Sequence, residues 1–201
     1  MSLLRAFIAI ELPPHVCEAI QKQTARLRQT LGNDIIRWVS TQNMHLTLKF
    51  LGDTSTSHLD FLKQMLVREA DTHPQFDMQL GGVGSFPNQR NPRLLWIGIH
   101  APTNLVSLQR GLESGASRLG YKSEERAFSP HLTIGRVRQT ASLSDLQKIR
   151  TTLDTIQLGN IGIARVDSVH IFKSDLQPGA PIYTKLFSAP LAKHEVKPER
   201  T

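Results

Sequence analysis

Cysteine is nearly absent from this chain of 201 residues, which contains only Cys17. A single thiol excludes an internal disulfide and any metal site built from several cysteines. The longest uncharged apolar stretch near the N-terminus, residues 6–10, is too short for a signal peptide or a membrane span. These absences predict a protein of the reducing cytoplasm that makes no use of a membrane.

Acidic residues are in short supply as well. The chain has 17 Asp and Glu against 24 Lys and Arg, which gives a formal net charge of +7 at pH 7. The basic residues are dispersed without any run of five like charges, and three of them, Lys193, Lys197 and Arg200, lie near the C-terminus. The excess favours phosphate-rich partners through long-range attraction, although a merely solubilising surface has the same composition.

Hydrophobic periodicity predicts strands and helices in alternation. The expected strands cover residues 6–12, 46–51, 76–86, 94–99, 131–137, 166–172 and 182–187. The expected helices cover residues 15–31, 59–71, 105–119 and a segment that begins after Ser142. Gly32 and Gly120 are the predicted ends of the first and third helices. Asp145 stands at the capping-box position relative to Ser142.

The order of these elements starts again halfway along the chain. FIAI at residues 7–10 aligns with WIGI at 96–99 at an offset of 89 (96 − 7), and VGSF at 83–86 aligns with VHIF at 169–172 at an offset of 86 (169 − 83). Between these landmarks, each half carries a His-Leu-Thr-aliphatic tetrad. The common order and spacing predict two similar β-α-β-α-β lobes.

We therefore expect one bilobal domain. Its pseudo-repeats cover roughly residues 1–88 and 89–190, and a polar tail follows at 191–201. A doubly wound parallel sheet would alternate strands and helices in a similar way, and it is the architectural alternative.

The repeated tetrads are His45-Leu46-Thr47-Leu48 and His131-Leu132-Thr133-Ile134, which lie 86 residues apart (131 − 45). Side chains alternate along a strand, so each histidine shares a face with the threonine two residues later. The aliphatic residues point to the opposite face and are expected to be buried. If the lobes are related by a pseudo-twofold axis, the two His-Thr faces look at each other across a cleft.

Two opposed imidazoles suit in-line displacement at phosphorus. That reaction needs a base at the entering oxygen and an acid at the leaving oxygen, and histidine fills either role near neutral pH. Threonine hydroxyls can hydrogen-bond the non-bridging phosphate oxygens as charge develops there. A cyclic phosphodiester is a strained substrate, so acid-base catalysis without a metal is chemically reasonable.

Other catalytic patterns are weaker. An HxT motif offers one metal ligand per strand, and the sequence contains no HExxH, CxxC or GxSxG. Cys17 is expected to pack within a helix, and the glycine-rich residues 81–84 predict a bulge or a close backbone approach. The histidines without a repeated context are expected to be structural or surface residues. They are His15, His58, His73, His100, His170 and His194. Of these, His170 is of most interest because it lies in the repeated third strand.

At the tetrads and their flanks, the sequence resembles the two-histidine phosphoesterase superfamily. Within it, the chain is similar to the bacterial and archaeal RNA 2',3'-cyclic phosphodiesterases, also called 2'-5' RNA ligases. The resemblance covers nearly the whole chain. It is carried by RAFIAIELP, RWVSTQNMHLTLKFLGD, SFPNQRNPRLLWIGI, FSPHLTIGRVR and VDSVHIFKSDL with YTKL after it.

The resemblance implies an α+β fold with two pseudo-symmetric lobes, each an antiparallel sheet flanked by helices, around a central cleft. It also implies opening of an RNA 2',3'-cyclic phosphate to a 2'-phosphate without metal or cofactor. By that analogy His45 is the proton donor to the departing 3'-oxygen and His131 the proton acceptor from water. Thr47, Thr133 and Arg136 would bind the phosphate. With a 5'-hydroxyl attacking, the same chemistry would give a 2'-5' linkage. We expect a monomer that acts on RNA with 2',3'-cyclic phosphate ends, tRNA fragments among them.

Strict alternation conflicts with the role that the resemblance gives to Arg136. It places residue 136 on the face of Leu132, away from His131. Arg136 would therefore reach the phosphate only if the strand twists or bulges after Gly135.

Lys49 shares the His45 face under the same alternation, and we expect it in solvent at the rim of the cleft. Three aromatic side chains, Phe7, Trp38 and Phe86, could stack on bases. Core packing is the expected role of each.

Two other functions fit the same motifs. A phosphodiesterase for small cyclic nucleotides or 2'-5' oligoadenylates would keep the site and change the substrate. A non-catalytic RNA-end-binding protein would hold the phosphate between the motifs without turnover.

Overall fold

The structure is a computed structural model that describes residues 2–177 and 180–193. The strands are β1 (Leu3–Glu11), β2 (Ile36–Trp38), β3 (His45–Ser55), β4 (Phe76–Phe86), β5 (Leu94–His100), β6 (His131–Val137), β7 (Asn160–Val166), β8 (Ser168–Asp175) and β9 (Ile182–Pro190). The helices are α1 (Pro14–Ile35), α2 (Leu59–Asp71), α3 (Thr103–Arg118) and α4 (Leu143–Thr155). Of the helices in the described residues, none combines the length and the apolarity that crossing a bilayer requires.

The predicted alternation is confirmed for all four helices and seven of the nine strands among the described residues. Periodicity does not find β2 and β7, because β2 has three residues and Gly162 interrupts the pattern of β7. At the start of α4, Ser142 accepts a hydrogen bond from the Asp145 amide and donates its own amide to the Asp145 carboxylate, so the capping box is confirmed. In α1, Gly32 has a φ of 69°, which interrupts the helix three residues before it ends at Ile35.

The strands form two antiparallel sheets. Sheet A has the order β3-β1-β8-β9, and sheet B has the order β2-β6-β5-β4-β7. Every pairing between strands of the described residues is antiparallel. The α+β prediction is therefore confirmed, and the doubly wound parallel alternative is wrong. Strands enter the two sheets in turn from β1 to β4, after which β5, β6 and β7 all join sheet B and β8 and β9 join sheet A.

Each sheet combines strands from both halves of the sequence. In sheet A, β1 of the first half pairs with β3 on one side and with β8 of the second half on the other. In sheet B, β5 and β6 of the second half pair with β4 and β2 of the first half, respectively. Helices α2 and α3 pack together on the side of sheet A, and α1 packs against β7 and α4 on the side of sheet B. The two lobes are therefore interlocked, and neither is a contiguous half of the chain.

The glycine-rich part of β4 contains the predicted bulge and a close approach. The register to β5 shifts between Gly81 and Val83, and Gly82 has a φ of 71°. At Gly84, a Cβ atom would lie 2.3 Å from the ring of Trp96, so only glycine leaves room for that indole. This stretch therefore fixes an aromatic side chain of the neighbouring strand.

The C-terminal end of the described chain packs onto the domain. Leu191 is buried, and Ala192 forms a parallel β-bridge with Pro74, which lies between α2 and β4. The remainder of the predicted polar tail, with His194, Lys197 and Arg200, lies outside the described residues.

A continuous apolar core runs beneath both sheets. The aliphatic residues of the tetrads belong to it, as predicted: Leu46, Leu48, Leu132 and Ile134 are each at most 4% exposed. Since both motif strands are anchored by these side chains, the histidine faces are attached to the buried core.

Truncation of a tetrad leucine should act on stability. We expect Leu46→Ala to lower the free energy of unfolding by about 2–5 kcal/mol, because the residue is 1% exposed and its loss leaves a cavity. Urea unfolding followed by circular dichroism measures this change. Leu3→Ala, at a residue that is 66% exposed, is the control and should change stability by less than about 0.5 kcal/mol. Equal losses in the two variants would contradict the assignment of Leu46 to the core.

Candidate active site

The two tetrad histidines occupy equivalent places in the fold. His45 is the first residue of β3 and His131 is the first residue of β6, and these strands lie next to each other where the two sheets meet. The Nδ1 atom of His45 lies 3.0 Å from the carbonyl oxygen of Asn43. The Nδ1 atom of His131 lies 2.7 Å from the carbonyl oxygen of Ser129. Each imidazole is thus held by the carbonyl group two residues before it.

These hydrogen bonds fix the tautomer of both rings. A carbonyl oxygen only accepts, so Nδ1 carries a proton in His45 and in His131. The Nε2 atom is then left for chemistry, as a base when the ring is neutral and as an acid when it is protonated. One local arrangement therefore prepares either ring for either role, and the surroundings distinguish them.

A β-bulge in β6 decides on which face Arg136 lies. The register to β5 shifts between Thr133 and Gly135, so that Ile134 is an extra residue. The extra residue reverses the alternation, and Arg136 pairs with Leu94. On β5, Thr133 pairs with Trp96 and Arg136 pairs with Leu94. Because Trp96 and Leu94 are two residues apart and share a face, Thr133 and Arg136 share a face as well. The bulge that the sequence required for a phosphate contact is present, one residue earlier than Gly135.

The first tetrad contains the same bulge. The register of β3 shifts between Thr47 and Lys49, which makes Leu48 the extra residue. The Lys49 side chain is 3% exposed, and its Nζ atom donates to Glu113 Oε1 at 2.6 Å and to the Lys122 carbonyl oxygen at 2.6 Å. The expectation of a solvated lysine at the rim is wrong, because the bulge turns Lys49 toward the core.

His45 lies among aromatic rings of sheet A. Phe7 stacks on it at 4.7 Å between ring centroids, Phe172 lies at 6.2 Å, and Tyr183 meets it edge-on at 5.0 Å. Burial lowers the pKa of His45 from 6.5 to about 4, although the backbone hydrogen bond and the charge of Glu11 act in the opposite direction. In the free protein this ring is therefore held neutral.

His131 has a corresponding but more open aromatic wall. Phe86 meets it edge-on at 4.9 Å, and Trp96 packs on Phe86 at 5.5 Å. In the repeat alignment, Trp96 corresponds to Phe7 and Phe86 to Phe172. Each tetrad histidine is thus flanked by a pair of rings from the next two strands of its sheet, and sequence periodicity did not connect these pairs.

The three aromatic residues considered for base stacking, Phe7, Trp38 and Phe86, lie in different surroundings. Phe7 is 3% exposed and Trp38 is half-buried, with Trp38 Nε1 donating to the Gly32 carbonyl oxygen at 3.1 Å and the Arg28 guanidinium 4.9 Å from its ring centroid. Packing is therefore the role of Trp38. Phe7 is buried as expected, but it is buried against His45. Phe86, the counterpart of Phe172, lies beside the second histidine.

A cavity of about 140 Å³ adjoins His45. Its lining includes Tyr183 and the ion pair between Glu11 and Lys185, alongside Phe172. Tyr183 and Lys185 come from β9, more than 130 residues after His45, so no local pattern could connect them with it. A larger concavity of about 340 Å³ lies along α3 and contains neither tetrad histidine.

His170 lies on the same face of sheet A but is occupied by hydrogen bonds. Its Nδ1 atom lies 2.9 Å from Ser188 Oγ, and its Nε2 atom lies 3.3 Å from Ser168 Oγ and 3.7 Å from Glu11. Burial lowers its pKa. With both ring nitrogens occupied by neighbouring side chains, His170 has the contacts of a structural residue.

Cys17 contacts no activating group among the described residues. Its thiol lies 4.0 Å from the Leu12 carbonyl oxygen and 3.8 Å from that of Thr41, and burial raises its pKa. Within residues 2–177 and 180–193, no group of three or more His, Cys, Asp or Glu side chains is placed to hold a metal ion.

Comparison with known proteins identifies the family. The family model described as the 2'-5' RNA ligase superfamily matches residues 12–178. An RNA 2',3'-cyclic phosphodiesterase of Thermotoga maritima is 33% identical over 186 residues, which are 92% of this chain and 94% of the relative. The enzyme of the same name from Methanothermobacter thermautotrophicus is 31% identical over 185 residues, 91% of this chain and 96% of the relative.

Solved structures have the same architecture. A Thermus thermophilus protein superposes with a TM-score of 0.79 at 26% identity, covering 96% of this chain and 100% of that one. E. coli LigT complexed with 3'-AMP gives a TM-score of 0.75 at 27% identity, covering 94% and 99%. The chain belongs to the 2'-5' RNA ligase superfamily, as its tetrads and their flanks indicated.

Loss of Lys49 should destabilise the domain. We expect Lys49→Met to lower the free energy of unfolding by roughly 2–4 kcal/mol, less than for a fully buried pair because Glu113 keeps some contact with solvent. Chemical denaturation measures the change. Lys63→Met is the matched control, since its partner Asp60 is exposed and its loss should cost less than about 0.5 kcal/mol. A similar stability of the two variants would show that the buried pair contributes nothing.

Proposed function

We propose that this protein is a metal-independent RNA 2',3'-cyclic phosphodiesterase that opens a terminal 2',3'-cyclic phosphate to a 2'-phosphate. The observation that supports this function best is that two imidazoles are held in the same way on two strands, β3 and β6, which contact each other from different sheets. In both His45 and His131, Nδ1 is held by a backbone carbonyl and Nε2 is left for proton transfer. The names of the relatives, RNA 2',3'-cyclic phosphodiesterase, agree with this chemistry.

The reaction is one displacement at phosphorus. His131 Nε2 takes a proton from water, whose oxygen forms a bond to phosphorus opposite the 3'-oxygen. The bond from phosphorus to the 3'-oxygen breaks, and His45 Nε2 gives its proton to that oxygen. The bond to the 2'-oxygen is kept, so the product is a 2'-phosphate with a free 3'-hydroxyl. Proton exchange with solvent then returns both imidazoles to their starting states.

The remaining polar residues stabilise charge on the phosphate. Thr47 and Thr133 share the faces of the two histidines, and their hydroxyls donate hydrogen bonds to the non-bridging oxygens. The Arg136 guanidinium, brought to this face by the bulge, adds a positive charge where negative charge develops. A 5'-hydroxyl in place of water would give a 2'-5' linkage through the same residues.

Substrate binding increases the fraction of His45 that is protonated. His45 must be protonated to act, yet burial holds its pKa at about 4 in the free protein. A bound phosphodiester places a negative charge beside the ring and raises that pKa. His45 is therefore charged mainly when substrate is present.

A substrate of nucleotide size is the second candidate. The cavity of about 140 Å³ beside His45 is small, and the relative LigT has been crystallised with 3'-AMP and with ATP. These observations fit a site that holds one nucleotide, whether that nucleotide is free or ends an RNA.

Replacement of either histidine should abolish most turnover. With an RNA oligonucleotide that ends in a 2',3'-cyclic phosphate, we expect the wild type to produce a 2'-phosphate, also in the presence of EDTA. His45→Ala and His131→Ala should each lower kcat by about 10²–10⁴-fold, because each removes one proton-transfer group. End-group analysis and single-turnover rates measure both outcomes.

His15→Ala, at an exposed residue of α1, is the control and should keep full activity. A 3'-phosphate product would require the acid and base roles to be reassigned. Loss of activity in EDTA, restored by a divalent ion, would contradict the metal-free mechanism. Binding of the RNA by the wild type without any product would favour an RNA-end-binding protein.

The pH dependence should separate the free enzyme from the complex. The acid form of His45 is lost as pH rises through its pKa, which is about 4 in the free protein and higher beside a bound phosphate. Since kcat/KM reports the free enzyme and kcat reports the complex, the alkaline limb of kcat should lie at higher pH than that of kcat/KM.

Phe7→Leu exposes the imidazole and should shift the alkaline limb of kcat/KM upward, toward the ordinary histidine pKa. Pre-steady-state and steady-state rates between about pH 4 and 9 test both expectations. Coincident limbs in the wild type would show that phosphate binding does not control the protonation of His45.

A further inference from the structure

A second arginine lies directly beside Arg136. Arg37 of β2 is its register partner in sheet B, so the two side chains leave the sheet on the same face. Directly opposed partners have Cβ atoms about 5 Å apart, and like charges at that distance repel. Both residues are exposed. The two guanidinium groups therefore stand side by side at the edge of the cleft, an arrangement that suits two neighbouring negative charges.

The opposite wall of the cleft brings a third arginine toward the same place. Arg5 precedes Phe7 by two residues in β1 and shares its face, and it is exposed. Its register partner Asp53 is not within ion-pair distance, and neither Arg5 nor Arg136 forms an ion pair within 4.0 Å among the described residues.

Tyr183 connects the third arginine with the site. Its ring lies edge-on to Phe7 at 5.2 Å and to His45 at 5.0 Å, and it lines the small cavity. Burial raises the pKa of its phenol, but the charges of Arg136, Arg37 and Arg5 lower it. The three arginines therefore act electrostatically at the His45 end of the site, where Glu11 and Lys185 also line the cavity.

The direction of the reaction places the RNA chain at this end. The leaving 3'-oxygen belongs to the terminal ribose, so that ribose lies on the His45 side of the reacting phosphorus. Its 5'-carbon carries the phosphodiester that connects it to the preceding nucleotide. A chain that leaves the nucleoside along the Tyr183 side of the cavity would bring that phosphodiester to the arginines.

Resting on the proposed function, we propose that Arg37, assisted by Arg5, forms a second phosphate subsite that binds the phosphodiester on the 5' side of the terminal nucleotide. Arg136 serves the reacting phosphate, and Arg37 serves the next one. The subsite makes the enzyme prefer an RNA end to a free cyclic nucleoside monophosphate, because only the RNA end presents both phosphates.

Three substrates test this subsite. They are adenosine 2',3'-cyclic phosphate, the same nucleotide with a 5'-phosphate, and the dinucleotide ApA that ends in a 2',3'-cyclic phosphate. We expect the wild type to have a higher kcat/KM for the second and third substrates than for the first. The slope of log kcat/KM against log salt should be steeper for them by about 0.7, the value for one additional phosphate contact on a single strand.

Arg37→Gln should remove this preference. We expect its kcat/KM to fall by about 10-fold or more for the two substrates with a 5'-phosphate and to change less than about 2-fold for the first substrate. Arg37→Lys should restore part of the loss, and the wild-type salt slope should be lost in Arg37→Gln. Arg110→Gln, at an exposed arginine on α3, is the control and should behave as wild type on all three substrates. Thermal melting confirms that every variant is folded.

The outcomes separate this subsite from the proposed function. If the wild type turns over none of the three substrates, the proposed function is wrong. If it turns over all three with equal kcat/KM, the reaction stands and the subsite does not exist. If Arg37→Gln slows the first substrate as much as the others, Arg37 acts on the reacting phosphate and the assignment of a second subsite is overturned.

Discussion

The β-bulge at the fourth residue of each tetrad is the constraint on which the site depends. A regular strand would keep every second residue on the histidine face and would place Lys49 in the cleft and Arg136 in the core. The extra residue reverses the alternation after the His-Thr pair, which stays on the cleft face. Arg136 therefore lies on the cleft face, and Lys49 lies on the core face. In β6 the consequence is a guanidinium for the site. In β3 the consequence is a buried ammonium that binds Glu113 and the loop leading toward β6.

Interlocking of the lobes makes the two motifs parts of one rigid object. β4 of the first half is a strand of sheet B, β8 of the second half is a strand of sheet A, and one apolar core runs beneath both sheets. The two sheets share no strand pairing among the described residues, so this common core and the chain that crosses between the sheets hold the two sides of the cleft together. The distance between the two imidazoles is set by this packing, which is what in-line displacement requires, because misplacement of an acid or base by a fraction of an ångström reduces its effect.

The two halves repeat in structure but differ in electrostatics, and in the proposed mechanism this difference gives two equivalent histidines different roles. Both rings have their Nδ1 atoms on a backbone carbonyl and both have an aromatic pair beside them. β9 covers only one of the two rings, that of His45. Tyr183 meets His45 edge-on, and burial lowers the pKa of that ring to about 4, so that its protonation depends on a bound anion. In the proposed subsite, the charge that meets such an anion comes from Arg5, Arg37 and Arg136, which lie on three strands in both sheets and are far apart along the chain.

Most of the local elements, the four anchoring aliphatic residues of the tetrads and the matching of His45 with His131 can be predicted from the sequence, because a twofold period and an internal repeat are visible without any tertiary contact. The same reasoning predicts that Arg136 needs a bulge to reach the site. The bulge itself, the burial of Lys49 with Glu113 and the position of Tyr183 against His45 could be learned only from the folded chain. The same is true of the position of Arg37 beside Arg136. The physical reason is that register, strand exchange and burial arise from pairings between distant segments, and periodicity along one strand contains no information about its partner.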